Sequence, residues 1–512
     1  MMERPKGGTH WSATHNSHFE PDKLQLVDFT RKREPPMQPG QRTVPLLRPP
    51  LKLGTQTIKP VQSYKYLGVI LDQELRFKEH TNYTLAKGTT WVNQFWRLSR
   101  PTVGMPPRFA RQLYKAIAVP RMLYAADIFL TPITRNPGQG RVTRSVGHIA
   151  KLARVQRTVA LHITGAMRTT ATDMIDAHAK LLPFHILVNQ ICYRSTLRLA
   201  TLPDTHPLYK HMRKARRYVK RHRTPLHKLL HAFRIDPDTL ETISTHRQAP
   251  GWIRQVKVRK AANKDEAYKE GMESTTQVKV YTDGSDINGG VGAAALLIRD
   301  GRRHGTLRTH LGHSSQHTIY EAELAGIMLA AHLLKRERHW QEAEIRLDSQ
   351  AAIDALNLTR PAPSHYLADE IHKQLKAVRH EHPTAKLTMR WIPGHMGIEG
   401  NKLADVEAKK AADGDASPAH ALPTMLHKPL PTSASAIKRT IKETARQDAA
   451  THLAKSKRYP RLKAIDRSVP SLSVRYKERY LKACAQLSSC RWSITQSFGA
   501  QLGCDCDKES MA

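Results

Sequence analysis

The spacing of apolar residues changes abruptly near residue 277, and this change constrains the fold more than any other feature of the chain. QVKVYTDG (277–284), GVGAAALLI (290–298) and TLRTHLG (306–312) are short apolar runs divided by Gly-rich turns, which predicts a three-stranded meander. SQHTIYEAELAGIMLAAHLLK (315–335) then places Tyr320, Leu324, Ile327, Met328, Ala331 and Leu334 on one face of a long amphipathic helix. EIRLDS (344–349) reads as a fourth strand, and SQAAIDAL (349–356) and HYLADEIHKQLKAVRH (365–380) as helices. KLTMRWI (386–392) is a fifth strand and GNKLADVEAKKAA (400–412) a closing helix. This order predicts an α/β domain over residues 276–415, with a mixed five-stranded sheet and flanking helices.

The rest of the chain lacks that alternation. Residues 1–80 read as partly irregular, with strand-like runs at KLQLVDFT (23–30) and YKYLGVIL (64–71). Residues 81–234 read as mostly helical; Phe109, Leu113, Tyr114 and Ile117 recur on one face. RKARRYVKRHR (213–223) is the densest basic run, and it serves equally as a phosphate-tracking strip or a nuclear address. Residues 235–275 read as a polar linker and 416–512 as a basic tail.

Charge follows the same division. Lys and Arg number 82 against 44 Asp and Glu, a formal charge of +38. Residues 1–275 hold 47 basic and 19 acidic side chains (+28), residues 276–415 hold 18 of each, and residues 416–512 hold 17 and 7 (+10). A neutral module between two basic flanks points to a catalytic unit beside segments that grip a polyanion, nucleic acid first of all. Solvated surface or tails would give the same charge runs. The 5 Cys lack paired spacing, which excludes a disulfide scaffold. Cys504 and Cys506 have no C-x-x-C and no downstream His, so no zinc site is expected. No apolar run approaches the roughly 18 residues of a membrane span, and MMERPKGGTHW has no signal-peptide core, so an intracellular protein is expected.

Within the neutral module, Asp283 and Asp348 close strands, while Glu323 and Asp405 lie in helices. If the first and fourth strands are neighbours, Asp283 and Asp348 meet. Four carboxylates without Lys or Arg partners would repel one another unless cations were bound. Oxygen ligands favour Mg²⁺ or Mn²⁺, and two such ions about 3.5–4 Å apart are a device for in-line phosphodiester displacement. Taken singly, Asp283 reads as a turn former, Asp348 as a helix cap and Asp405 as a solvated charge. Periodicity does not choose between Glu321 and Glu323, which flank the apolar stripe equally.

The set YTDGS (281–285), YEAEL (320–324), LDSQAAI (347–353) and WIPGHMGIEGNKLAD (391–405) closely resembles type 1 ribonuclease H, in the version carried by non-LTR retrotransposon polyproteins. The resemblance implies a catalytic, metal-holding set of Asp283, Glu323, Asp348 and Asp405; the AEL context selects Glu323. It implies two Mg²⁺ ions, with Mn²⁺ as a substitute, and Asp283 as the bridge between them. His395 matches the family's mobile histidine, which helps proton transfer and product departure. The implied activity is hydrolysis of the RNA strand of RNA–DNA hybrids; the charge distribution adds the expectation that the basic flanks grip nucleic-acid backbone, and the lack of a long apolar run that no membrane is a partner. Two departures stand out: Gln-His-Thr-Ile-Tyr (316–320) replaces the family's Thr-Asn-Asn run, and the short NLTRPAPS link (357–364) lacks a basic protrusion.

FEPDKLQLVDFT (19–30) and YKYLGVILDQELRFKEH (64–80) resemble the last palm strands of a retrotransposon reverse transcriptase, and 82–232 its thumb and connection. No Asp-Asp pair occurs in the chain, so no polymerase activity is expected. The competing classes are a decayed, non-catalytic nucleic-acid-binding relic and a transposase or integrase of related fold. The latter lacks a helix Glu in an AEL context.

Overall fold

The structure is a computed structural model. It describes residues 4–465 except 21–22, 37, 39, 41, 47, 54–55, 99–104, 132–133, 136–141, 144, 217–224, 245–255, 359 and 395. Most of the 213–223 basic run and His395 therefore lie outside the described residues. The chain divides into two compact units, residues 1–192 with 446–512, and residues 193–445. Among the described residues, no helix is long and apolar enough to cross a membrane.

The first unit is built around α1 (Lys78–Leu98) and α2 (Val146–Thr164), whose apolar faces bury Trp91, Phe95, Leu152 and Val159. YKYLGVIL, read as one strand, is a hairpin of β1 (Ser63–Tyr66) and β2 (Val69–Asp72). Leu67 and Gly68 sit between them at φ 45° and 85°. Two successive positive φ values make the tight turn whose twist matches a hairpin. KLQLVDFT forms no strand, only a single bridge from Leu26 to Pro60. Helices α3 (Thr172–His178) and α4 (Phe184–Ala200) complete the segment before the second unit.

The second unit begins with the end of α4, then α5 (Tyr209–Arg216) and α6 (Pro225–Phe233). Its sheet contains β3 (Lys257–Arg259), β4 (Val278–Ile287), β5 (Gly290–Arg299), β6 (Arg302–His313), β7 (Glu342–Leu347) and β8 (Lys386–Trp391). The order is β6-β5-β4-β7-β8-β3; the first three strands are antiparallel and the others join in parallel. The sheet is thus mixed, as the alternation of elements implied, but it has six strands rather than five. The additional strand lies inside the stretch read as a linker. Three residues are too short to show a period of two, and Lys257–Arg259 is a strand because it pairs with Thr388–Arg390. The same stretch forms α7 (Lys264–Glu273), capped by the Asn263 side chain, which accepts from Glu266 N at 2.8 Å.

The helices are α8 (Ile319–Arg336), α9 (Gln350–Asn357), α10 (His365–Glu381), α11 (Glu399–Ala412) and α12 (Ala434–Ala454). The main core joins α8, α9 and α10 to one face of the sheet, through Leu324, Met328, Ile353 and Ile371 against Val280, Ala293 and Ile345. A second cluster, Tyr281, Ile392, Ile398 and Ala404, lies under α11. Val280 joins the first cluster and Tyr281 the second, so strand alternation sets the two on opposite faces. α11 comes very close to β5: a Cβ on Gly292 would lie 2.2 Å from Ala412 N, so only glycine permits this approach.

Candidate active site

The site lies where β4 and β7 run side by side. Their parallel register ends at Tyr281–Arg346, and two residues further on stand Asp283, still within β4, and Asp348, just past the end of β7. Asp283 is not at a turn, as the Gly-Ser sequence suggested. β4 continues to Ile287, and the turn falls at Asn288-Gly289, where φ is 52° and 80°. Asp348 does not cap the next helix either; Ser349 does, its Oγ accepting from Ala352 N at 3.3 Å. The Asp348 backbone is held instead by Trp391, whose Nε1 donates to its carbonyl at 3.0 Å.

Glu323 reaches the same point from α8. The two glutamates that periodicity left equivalent have separate places. Glu321 completes a capping box: its backbone N–H donates to Thr318 Oγ1 and its carboxylate accepts from Thr318 N at 2.8 Å. Ligand oxygens of Asp283, Glu323 and Asp348 all lie within 4.8 Å of one another. The capping box was visible in the sequence as Thr-x-x-Glu (318–321) and could have separated the two glutamates unaided.

These three side chains line a cavity of about 400 Å³ together with Asn401, Lys402 and Asp405. Asp405 stands apart from the trio and carries a cation: Lys409, one helical turn on, places Nζ 2.7 Å from its Oδ2. The expected absence of Lys or Arg partners therefore fails at this position, because i,i+4 spacing on α11 aligns the two side chains. Asn401 escaped the sequence reading. Its Oδ1 is buried without a hydrogen-bond partner, as is Glu323 Oε2. The implied role of His395 falls outside the described residues.

The electrostatics follow from this crowding. Burial, then Asp348 and Asp405, push the Asp283 carboxyl up to about 7. Burial, then Asp283 and Asp348, raise Glu323 well above the usual carboxylate range. The Gly284 backbone N–H works the other way on both. A compact set of hard oxygens that repel one another, with two buried acceptors left unpaired, fits a divalent cation. Asp283, Glu323 and Asp348 would hold it.

Gly284 permits this geometry. A Cβ there would lie 2.8 Å from Glu323 N and 2.9 Å from Ala322 Cβ, so α8 would have to move off β4. Gly284→Ala is expected to destabilise the unit by about 1–3 kcal/mol. It should also shrink the rise in melting temperature that Mg²⁺ gives the unsubstituted chain. Identical melting of the two proteins, with and without Mg²⁺, would contradict this tight seat.

Residues 275–413 match the RNase H family model and constitute an RNase H domain. Similar solved structures include RNase H1 from the halophilic archaeon Halobacterium salinarum NRC-1 (20% identity, 27% of this chain and 97% of that chain, TM-score 0.20). Others are the N-terminal RNase H domain of Rv2228c from Mycobacterium tuberculosis (17%, 27% and 95%, 0.21) and LC11-RNase H1, isolated from compost by a metagenomic approach, in complex with an RNA/DNA hybrid (19%, 27% and 96%, 0.22). No curated protein sequence matches the chain.

Proposed function

We propose that residues 275–413 hydrolyse the RNA strand of RNA–DNA hybrids. The observation that carries this reading is the convergence of Asp283, Glu323 and Asp348 in an open cavity of a domain matching the RNase H family. On the resemblance to the family, Asp283 would serve two Mg²⁺ ions at once, with Mn²⁺ as a substitute. Glu323 and Asp348 would hold one ion, and Asp405, now paired with Lys409, would contribute to the other. Bound divalent ions supply Lewis-acid stabilisation of phosphoryl oxygens and a lowered water pKa. His395, adjacent in sequence to Gly394 and Met396, would carry protons, as the resemblance implies. The wide minor groove of a hybrid exposes the RNA 2′-hydroxyls that mark the strand to be cut.

The wider origin proposed here is the C-terminal part of a non-LTR retrotransposon polyprotein, with residues 1–234 the remnant of its reverse transcriptase. This rests on the sequence resemblance and implies no polymerase activity.

The full chain should cut an end-labelled RNA–DNA hybrid in Mg²⁺, leaving 3′-hydroxyl and 5′-phosphate ends, and should be inert in chelator. Single-stranded RNA and duplex DNA should survive. Hybrid binding without cation-dependent cleavage would reject the activity in favour of a non-catalytic binder.

A further inference from the structure

The two basic flanks of the RNase H domain are far apart in sequence, yet they fold against each other. The end of α4, with α5, α6 and the first half of α12, shares one core of Leu197, Met212, Leu230, Leu240, Ala434 and Ile441. Beside it the two segments pair: Glu241 N donates to Thr432 O (3.1 Å) and Thr432 N to Thr239 O (2.8 Å). The Glu241 carboxylate is 1% exposed and accepts from Ala434 N and Ser364 N, which fastens the assembly to the start of α10.

The assembly also reaches the catalytic side of the domain. Ser433 N donates to Gln316 O at 2.8 Å. Arg439 donates to the carbonyls of Ser314 and His317, and its guanidinium lies 3.8 Å from Asp286. Ser314 to His317 lead into α8, which carries Glu323, and Asp286 stands three positions beyond Asp283 on β4. On the outside, α5 exposes Lys210 and Lys214, and α12 exposes Lys438 and Lys442, each pair at i,i+4 spacing. Arg213 and Arg216 are instead paired with Asp238 and Asp236.

We propose that this two-flank assembly is a grip for the sugar–phosphate backbone of the polynucleotide that the carboxylate site cuts. The proposal rests on the hybrid-cleaving reading and adds where the substrate is held. Electrostatics requires such a surface. Residues 276–415 are neutral overall and gather acids in their central cavity, so they offer a polyanion no net attraction. The exposed lysines of α5 and α12 belong to the assembly that Arg439 and Ser433 tie to the loop that enters the catalytic helix. Contacts of lysine with phosphate are independent of sequence and strongly dependent on salt.

The test uses the full chain carrying Lys210→Glu, Lys214→Glu, Lys438→Glu and Lys442→Glu, with Lys373→Glu on α10 as control. Binding of a fluorescent RNA–DNA hybrid is followed by anisotropy in chelator, across a series of salt concentrations. The four-fold variant should bind at least about tenfold more weakly at low salt, and its log K against log [salt] slope should flatten by about 2–4. In Mg²⁺ its KM should rise while kcat holds. The control should match the unsubstituted chain. If charge reversal disturbs folding, the corresponding four-fold Gln variant should still flatten the slope. Unchanged affinity and slope in a folded variant overturn the grip. So does a loss confined to anionic lipid vesicles, which would make the surface a membrane contact. Because binding is read without cleavage, an inert protein would refute the hydrolytic reading and leave the grip to stand or fall on the slope.

Discussion

Asp283→Asn is expected to lower hybrid cleavage by a factor of about 10³ or more, and at the same time to stabilise the protein in chelator. Both effects have one origin. Asp283 is 8% exposed and shares its cavity with Glu323 and Asp348, so it is useful only when positive charge is present and costly when it is not. Its carboxyl rises from the ordinary 3.8 to about 7. A folded-state value above the unfolded one means that the group's contribution to stability is full below about 3.8 and is lost as pH climbs through 7. Asn carries no such loss. Its advantage in chelator should therefore be about 2 kcal/mol at pH 8 and somewhat under half of that at pH 5, since each pKa unit is worth about 1.4 kcal/mol and part of the strain relaxes. Adding Mg²⁺ should reverse the ranking, because only the carboxylate gains from the cation. Denaturation curves at both pH values, with and without Mg²⁺, read all of this apart from cleavage. An Asn variant that melts below the unsubstituted protein at pH 8 in chelator would show that the acids there are not in conflict.

The parts of this site that were legible in the sequence are those with periodic surroundings. β4, β7 and α8 carry long apolar patterns, so Asp283, Asp348 and Glu323 could be assigned to elements before any contact was known. Their convergence needed the β4–β7 pairing, which the alternation of strands and helices only permitted. What stayed hidden was either short or non-local. β3 spans three residues and exists through its partner strand. The hold of Lys409 on Asp405 could have been seen in i,i+4 spacing, but it matters only because both border the cavity. Asn401 is one polar residue among several on α11, and what distinguishes it is a buried Oδ1 without a hydrogen-bond partner. The flank assembly left the least trace. Leu240 and Ile441 meet across 200 positions, and neither segment has a pattern that names the other.

Glu241→Ala is expected to cost about 3 kcal/mol of stability, a large loss for a single change at a charged residue. The carboxylate supplies from a distant segment what two helices lack locally. Ala434 N–H belongs to the first turn of α12 and has no intrahelical acceptor, and Ser364, at φ 65°, precedes α10 without a side-chain cap of its own. Removing one side chain orphans both N–H groups in a buried site, each at about 1–3 kcal/mol, offset in part by relief of repulsion from Glu321. Gln keeps one acceptor but turns an NH₂ group toward the other N–H, so Glu241→Gln should fall between the two. Its cost should vary with pH in a fixed direction. Burial, more than the Glu321 charge, lifts Glu241 from 4.5 to about 7. The contribution of Glu241 is therefore complete below about 4.5 and declines as pH rises through 7, so the penalty for Gln should be larger at pH 5 than at pH 8. Hydrogen exchange gives the local readout: in Glu241→Ala the amides of Ser364 and Ala434 should lose protection first, while those of β4 and β7 keep theirs. Protection lost equally across the sheet would mean that Glu241 supports the whole unit rather than the junction of its two flanks.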